Sequence, residues 1–259
     1  MTEHTRAGII GTGHLGGFLV AGCNRTGAPY RFVVSPRGSS MAAELKCRYG
    51  VEIAASNQEV VDRADFIVAC VRPSDAKVVL EPLTFRRDQT ILSLMAGITF
   101  ADMQSLTAPA TSAVGMMNGH ANALGSGTTV LYPANDAAIR FLSHFGPLHV
   151  FDDWPRYAVA STVAGVSGTS FGLIIEIIRW YEKAGLDTAT ARRLATETII
   201  GSAEVLRRST EPLDDLLAGL QTPGGITEQG NRILREHGAF AAFEEMMDAV
   251  AKRMGAGNR

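Results

Sequence analysis

A glycine-rich loop near the N-terminus constrains this chain more than any other feature. Gly11-Thr12-Gly13-His14-Leu15-Gly16 fits the pattern G-x-G-x-x-G, and it lies between an apolar run at 7–10 and a helical pattern at 15–24. In that context the glycines permit a tight turn and close approach of the backbone to a pyrophosphate, and the helix N-terminus supplies free N–H groups. We therefore predict that these six residues bind a dinucleotide; the alternative is an ordinary glycine-rich turn.

The first half of the chain alternates short apolar runs with helical patterns. Strands are predicted at 7–10, 31–34, 66–71 and 90–95, with further ones at 113–116, 128–132 and 148–151, and helices at 15–24 and 39–49. Such alternation is typical of βαβ units and a mostly parallel sheet. We predict an α/β, Rossmann-type doubly wound sheet in residues 1–155.

The second half has no strand pattern. Helices are predicted at 162–184, 188–208, 212–220, 227–236 and 239–253, so residues 156–259 are predicted to form an all-α domain. The first of these helices has Ala164, Gly168 and Gly172 on one face. Because glycine weakens a helix by roughly 1 kcal/mol relative to alanine, we expect another backbone or a ligand to pack closely there.

The end of the second strand indicates which dinucleotide binds. Folds that bind NAD usually have Asp or Glu at this point, whereas this chain has Ser35, followed by Arg37 and Ser39. The guanidinium of Arg37 and the two hydroxyls can hold a 2′-phosphate. We predict NADP(H) rather than NAD(H) as the cofactor. Alternatively, Ser39 is only the cap of the next helix.

Charge and composition argue against several classes of protein. With 24 basic and 26 acidic residues, the net charge of -2 gives no support to a nucleic-acid binder. The densest apolar stretch, 171–178, is interrupted by Glu176 and is shorter than the roughly 20 residues of a membrane span. The three cysteines suit neither a disulfide framework nor a metal site. We expect a cytoplasmic protein with no nucleic-acid, membrane or metal partner.

Several motifs in order resemble those of the pyrroline-5-carboxylate reductases over nearly the whole chain. Besides the glycine loop, they are Val71-Arg72-Pro73, Leu94-Met95-Ala96-Gly97-Ile98, Met116-Met117-Asn118, the segment 164–170 and Thr222-Pro223-Gly224-Gly225-Ile226-Thr227. The resemblance implies an N-terminal Rossmann domain and a helical domain that forms a homodimer or a higher homo-oligomer. It also implies NAD(P)H-dependent reduction of a cyclic imine, either pyrroline-5-carboxylate to proline or a related substrate. The implied cofactor contacts include Val71, Arg72, Pro73, Ala96 and Gly97.

The turn at 222–227 carries the predicted substrate site. Its N–H groups precede a helix and can bind a carboxylate, and the Thr227 hydroxyl can both donate and accept. The resemblance implies that Thr227 contacts the imine nitrogen and that Asn118 lies near the nicotinamide, so we predict both as catalytic residues. The predicted substrate-binding residues are Gly224, Gly225, Ile226, Thr227 and Glu228.

The residues of the predicted site also have simpler interpretations. Thr227 suits an N-cap, Asn118 a loop, and Glu228 a first helical turn, where the helix dipole favours an acid. An NADPH-binding regulatory protein without efficient turnover is the alternative from another functional class. A β-hydroxyacid dehydrogenase needs a lysine that 167–180 lacks, and a deazaflavin-dependent NADP reductase lacks this helical domain.

Overall fold

The structure, a computed structural model, describes residues 4–256. The chain forms two compact units. The first runs to Ala164 and resumes at Val250, and the second is Gly165–Ala249. The predicted domain boundary after residue 155 falls within a helix, Trp154–Ala160, and stays a prediction.

An eight-stranded sheet forms the centre of the first unit, in the order β3-β2-β1-β4-β5-β6-β7-β8. All neighbouring strands are parallel except β6 and β7, which are antiparallel, and the predicted doubly wound sheet is confirmed. The strands are β1 (Thr5–Ile10), β2 (Tyr30–Val34), β3 (Glu52–Ile53), β4 (Phe66–Ala69), β5 (Thr90–Ser93), β6 (Thr111–Met117), β7 (Thr129–Tyr132) and β8 (Leu148–Val150).

Helices cover both faces of this sheet, because its central strands are apolar on both sides. Alternate residues point to opposite faces. Ile9 and Val68 join one core cluster, together with Leu19 of α1, and Ile10 and Ile67 join the other. The helices are α1 (His14–Thr26), α2 (Ser39–Tyr49), α3 (Asn57–Arg63), α4 (Ala76–Leu80), α5 (Phe100–Thr107), α6 (His120–Ala123), α7 (Asp136–Leu142) and α8 (Trp154–Ala160).

The chain beyond α8 is helical wherever the structure describes regular elements, as predicted. These helices are α9 (Val163–Lys183), α10 (Thr188–Arg208), α11 (Leu213–Gly219), α12 (Ile226–Glu236) and α13 (Ala239–Arg253). Asp187 caps α10, since its carboxylate accepts from the N–H groups of Ala189 and Thr190. A hydrogen bond from the Thr190 side chain, together with these backbone bonds, lowers the pKa of the Asp187 carboxyl.

The second unit leaves many large apolar side chains exposed. They include Phe171, Leu173, Trp180, Ile200, Leu213, Ile226, Phe240 and Phe243. A Cβ added at Gly168 or Gly172 would meet no atom of residues 4–256 within 4 Å. These two glycines therefore have open space beside them within the described chain, whereas Ala164, on the same face, packs against a core cluster of the first unit.

One helical stretch could span a membrane by length and composition alone. Trp154–Lys183 contains an 18-residue window with a mean hydropathy of 1.6, of which 17% is buried within the protein. This stretch is longer than the apolar run 171–178, so its length does not exclude a span.

Candidate active site

A cavity of about 350 Å³ lies at the carboxyl edge of the sheet, next to the ends of β1, β2 and β4. β2 lies on one side of β1 and β4 lies on the other, so the strand order reverses at β1. Ligands of doubly wound sheets bind at such a switch point. The predicted cofactor residues that line the cavity are Gly11, Thr12, Gly13, Ser35, Arg37, Val71 and Arg72.

The glycine loop has the close approach that its sequence predicts. Gly11 has φ +101°, and a Cβ there would lie 2.7 Å from the carbonyl carbon of Cys70. Gly38, which caps α2, has φ +91°, and a Cβ would clash with the carbonyl oxygen of Thr12. Both positions therefore require glycine. A Cβ added at Gly13 would meet nothing within 4 Å, so the backbone there faces open space.

Ser35 links the end of β2 to the glycine loop. Its Oγ accepts a hydrogen bond from Gly11 N–H at 3.0 Å and lies 3.1 Å from the Thr12 hydroxyl, which donates to Ser35 C=O at 2.9 Å. Both side chains are buried. The Ser35 hydroxyl thus orders the loop, and contact with a 2′-phosphate stays a prediction.

Two arginines give the cavity a positive character. Arg37 and Arg72 are exposed, and neither forms a salt bridge with any residue in the described range 4–256. Unpaired guanidinium groups suit phosphate. Ser39 begins α2 but is not its cap, because Gly38 occupies that position; the capping interpretation of Ser39 is wrong.

Sequence analysis missed several residues of this cavity. Asn57, Asp75 and Val79 line it, as do Ile10, Gly38 and Cys70. Asn57 begins α3, which follows β3, and recognising that two-residue strand would have placed Asn57 at the same edge. Burial raises the pKa of the Cys70 thiol to about 12, so this thiol is not an activated nucleophile.

Other predicted cofactor residues lie outside the cavity lining. His14 is exposed at the start of α1, with Leu15 and Gly16 in the same turn, and Pro73 begins a 3₁₀ turn after β4. Ala96 and Gly97 follow β5, where Gly97 has φ +80°. Contact between these residues and a cofactor stays a prediction.

Asn118 directly follows β6 at the carboxyl edge that it shares with β5. The next residue, Gly119, approaches the Phe18 ring of α1, and that ring lies 4.3 Å from the His120 ring. Asn118 Oδ1 is buried and has no hydrogen-bond partner in the described part of the chain. A buried acceptor without a partner is uncommon, so this atom suits a donor from a ligand.

The turn before α12 differs in part from its prediction. Gly225 is the N-cap and Thr227 is the second helical residue, so the capping interpretation of Thr227 is wrong. The Thr227 hydroxyl makes no hydrogen bond to other described residues. Glu228 Oε2 accepts from Gly224 N–H at 2.6 Å, and Gly225 N–H donates to Thr222 C=O at 2.8 Å. The N–H groups of Ile226, Thr227 and Glu228 have no acceptor among residues 4–256.

A second polar cavity, of about 640 Å³, adjoins this turn. Its lining includes Gly224, Gly225 and Glu228, together with Gln229, Arg232 and Arg235. Arg232 is paired with Glu236 at 2.9 Å. The turn therefore presents free N–H groups, a threonine hydroxyl and a carboxylate to its surroundings.

Two family models match different parts of the chain. "NADP oxidoreductase coenzyme F420-dependent" matches residues 6–97, and "Pyrroline-5-carboxylate reductase dimerisation" matches residues 157–256. The pyrroline-5-carboxylate reductase of Pseudomonas aeruginosa is 27% identical over 96% of this chain and 95% of its own length. The enzyme of Escherichia coli is 27% identical over 93% of this chain and 94% of its own. Over nearly its whole length, the chain is therefore similar to pyrroline-5-carboxylate reductases.

Solved structures confirm the fold of this chain. Pyrroline-5-carboxylate reductase from Streptococcus pyogenes has a TM-score of 0.85 at 23% identity, covering 98% of this chain and 99% of that one. The Plasmodium falciparum enzyme with NADP bound also has a TM-score of 0.85, at 20% identity, covering 100% of both chains. The F420-type model ends at residue 97, whereas the reductase relatives continue through the helical domain. The deazaflavin and β-hydroxyacid alternatives are therefore not favoured.

Proposed function

We propose that the chain reduces the C=N bond of a cyclic imine carboxylate with NADPH, and that pyrroline-5-carboxylate is its substrate. The observation that carries the proposal is the glycine-lined cavity at the switch point, in a chain whose curated relatives are pyrroline-5-carboxylate reductases. It is an oxidoreductase that acts on a carbon–nitrogen double bond.

The cofactor assignment rests on the cavity itself. The open backbone at Gly13 admits a pyrophosphate, and the unpaired guanidinium groups of Arg37 and Arg72 can bind the 2′-phosphate of NADP(H). No acidic residue lies between the end of β2 and Glu44, although Asp75 contributes a carboxylate elsewhere in the lining. When bound, NADPH supplies the hydride; the chain supplies binding and orientation.

Asn118 and Thr227 are proposed as the catalytic residues. Asn118 offers a buried acceptor without a partner, and Thr227 a hydroxyl that is not used as a cap. The three free N–H groups at the start of α12 can bind the substrate carboxylate. The Thr227 hydroxyl can then donate to, or accept from, the imine nitrogen. Gly224, Gly225 and Ile226 shape this turn.

Glu228 favours a second candidate substrate. Its carboxylate already accepts the Gly224 N–H, so it competes with a substrate carboxylate at that position. A related cyclic imine that bears an amine or another hydrogen-bond donor would suit this carboxylate better.

A homodimer, or a larger assembly of dimers, is the proposed oligomeric state. The uncovered faces of Gly168 and Gly172 and the exposed apolar side chains of the second unit support it. The model that matches residues 157–256 describes a dimerisation domain. A cytoplasmic location stays a prediction.

Consumption of NADPH with a panel of cyclic imines tests the function. We expect turnover of pyrroline-5-carboxylate, which is measured as a decrease in NADPH absorbance. The expected product is proline. Tight NADPH binding without turnover of any imine would favour the regulatory alternative instead.

A further inference from the structure

Asn122, four residues after Asn118, forms an unusually complete set of hydrogen bonds. Its side chain is fully buried, and its Oδ1 accepts from Asn118 N–H at 2.6 Å. Its Nδ2 lies 2.8 Å from Gly127 O, 3.0 Å from Thr129 Oγ1 and 3.2 Å from Phe145 O. One carboxamide thus ties the end of β6 to the start of β7 and to the turn before β8.

The surrounding backbone leaves room for this carboxamide and for little else. A Cβ added at Gly127 would lie 2.5 Å from Asn122 Cγ. Gly146 has φ +122°, and a Cβ there would lie 2.5 Å from Gly127 O, one of the acceptors of Asn122. Asn122 is therefore closely packed against the backbone at Gly127, where no larger residue would fit.

The two asparagines are used in opposite ways. Asn122 satisfies its hydrogen-bonding groups inside the protein, whereas Asn118 Oδ1 is buried without a partner among residues 4–256. A buried acceptor left without a donor is destabilising, and such atoms are retained where a ligand completes them. The backbone bond from Asn118 to Asn122 restricts where the Asn118 side chain can point.

We propose that Asn122 is a positioning residue for the cofactor. It holds the backbone of Asn118 so that Asn118 Oδ1 accepts a hydrogen bond from the carboxamide N–H of the nicotinamide. This inference rests on the proposed function, since it requires NADPH as the ligand. It concerns the nicotinamide end only and predicts no contribution of Asn122 to the 2′-phosphate end.

The test compares two ligands that differ at the nicotinamide end. Dissociation constants for NADPH and for 2′-phospho-ADP-ribose, which lacks nicotinamide, are measured by titration of the full-length protein. Asn122→Ala should weaken NADPH by about 2- to 12-fold, the factor for one neutral hydrogen bond, and leave 2′-phospho-ADP-ribose unchanged. Asn122→Ser retains a polar group for the carbonyl oxygens but cannot reach Asn118 N–H, so it should also weaken NADPH and leave 2′-phospho-ADP-ribose unchanged. It replaces the alanine variant in this test if that variant does not fold.

Gln89 supplies a matched control. It is likewise a buried carboxamide, accepting from Arg86 N–H at 2.7 Å and donating to Val61 O and Ala64 O at 2.6 and 2.8 Å. It precedes β5, at the opposite edge of the sheet from Asn118. Gln89→Ala should lower stability but leave both dissociation constants unchanged.

A double mutant decides whether Asn122 acts through Asn118. In an Asn118→Ala background, Asn122→Ala should cause no further loss of NADPH affinity. Equal weakening of both ligands, or additive losses in the double mutant, would overturn the inference and leave the proposed function standing. Failure of the wild-type protein to bind NADPH would overturn both, whereas failure to turn over imines would affect only the proposed function.

Discussion

Replacement of Arg37 tests the proposed 2′-phosphate site most directly. Arg37 is exposed, lines the cavity and forms no salt bridge within the described chain, so Arg37→Ala removes no structural contact of its guanidinium. Charge-assisted hydrogen bonds contribute about 1.5–3 kcal/mol, and solvent exposure favours the lower part of that range, about 1.5–2 kcal/mol. NADPH should therefore bind roughly 10- to 30-fold more weakly, and NADH should be unaffected because it lacks the phosphate.

The measurement is the dissociation constant of each cofactor for the wild type and for Arg37→Ala, obtained by fluorescence titration at fixed ionic strength. Arg31→Ala is a suitable control, because Arg31 is another exposed arginine on β2 but lies by a different cavity. It should change neither constant. Equal weakening of NADPH and NADH by Arg37→Ala would refute the reasoning, because only a group that contacts the phosphate distinguishes the two.

Ser35→Ala should weaken NADPH and NADH alike and lower the free energy of unfolding by about 1–3 kcal/mol in chemical denaturation, because the buried loop contacts of its hydroxyl are lost; loss of affinity for NADPH alone would contradict this and support the predicted contact of the hydroxyl with the 2′-phosphate instead. Thr227→Ala should lower kcat/KM for the imine about 10-fold with NADPH affinity unchanged, and Thr227→Ser should keep most activity; unchanged steady-state kinetics would exclude the residue from the site. Light scattering at micromolar concentration should show at least a dimer, and a stable monomer would contradict the proposed assembly. Burial raises the pKa values of the Cys23 and Cys70 thiols to about 12, which disfavours their thiolates; Ellman's reagent should modify exposed Cys47 first, and equal rates at all three cysteines would contradict this order.

Sequence patterns located helix ends best where a terminating residue is unambiguous. The predicted bounds of α2, α10 and α13 agree with the structure at both ends. Gly50 ends α2 with φ +67°, and Gly238, with φ +70°, precedes α13. Asp187 caps α10 through its carboxylate. Only glycine adopts positive φ without strain, so its position in the sequence is a reliable stop signal.

Capping was harder to predict where a glycine stands near a hydroxyl residue. Ser39 and Thr227 both suit an N-cap by residue type, yet Gly38 and Gly225 occupy those positions. Each helix therefore begins earlier than a side-chain cap would allow. The preference of N-caps for Ser and Thr over Gly is worth only a few tenths of a kcal/mol, so local backbone geometry decides.

The edge strand and the direction of buried hydroxyls could not be obtained from periodicity. β3 consists of two exposed residues, Glu52 and Ile53, which form no apolar run, and without it Asn57 has no predicted place at the cavity. The Ser35 hydroxyl accepts from Gly11 N–H, a contact that the sequence did not predict, while its contact with a phosphate stays a prediction. A sequence shows that a hydroxyl is present at the end of a strand, whereas tertiary packing decides what it contacts.

Helix α9 combines features that a second copy of the chain explains better than a lipid bilayer. The helical stretch Trp154–Lys183, to which α9 belongs, is long and apolar enough to span a membrane, but Glu176 and Arg179 form a salt bridge at 2.5 Å on the exposed surface of α9. A charged pair facing lipid is costly, whereas at the rim of a protein interface it remains hydrated. Close approach of helices needs small residues, and the uncovered Gly168 and Gly172 provide them. We infer that the apolar face of α9 is covered by protein, which accounts for both its hydropathy and its exposure within one chain.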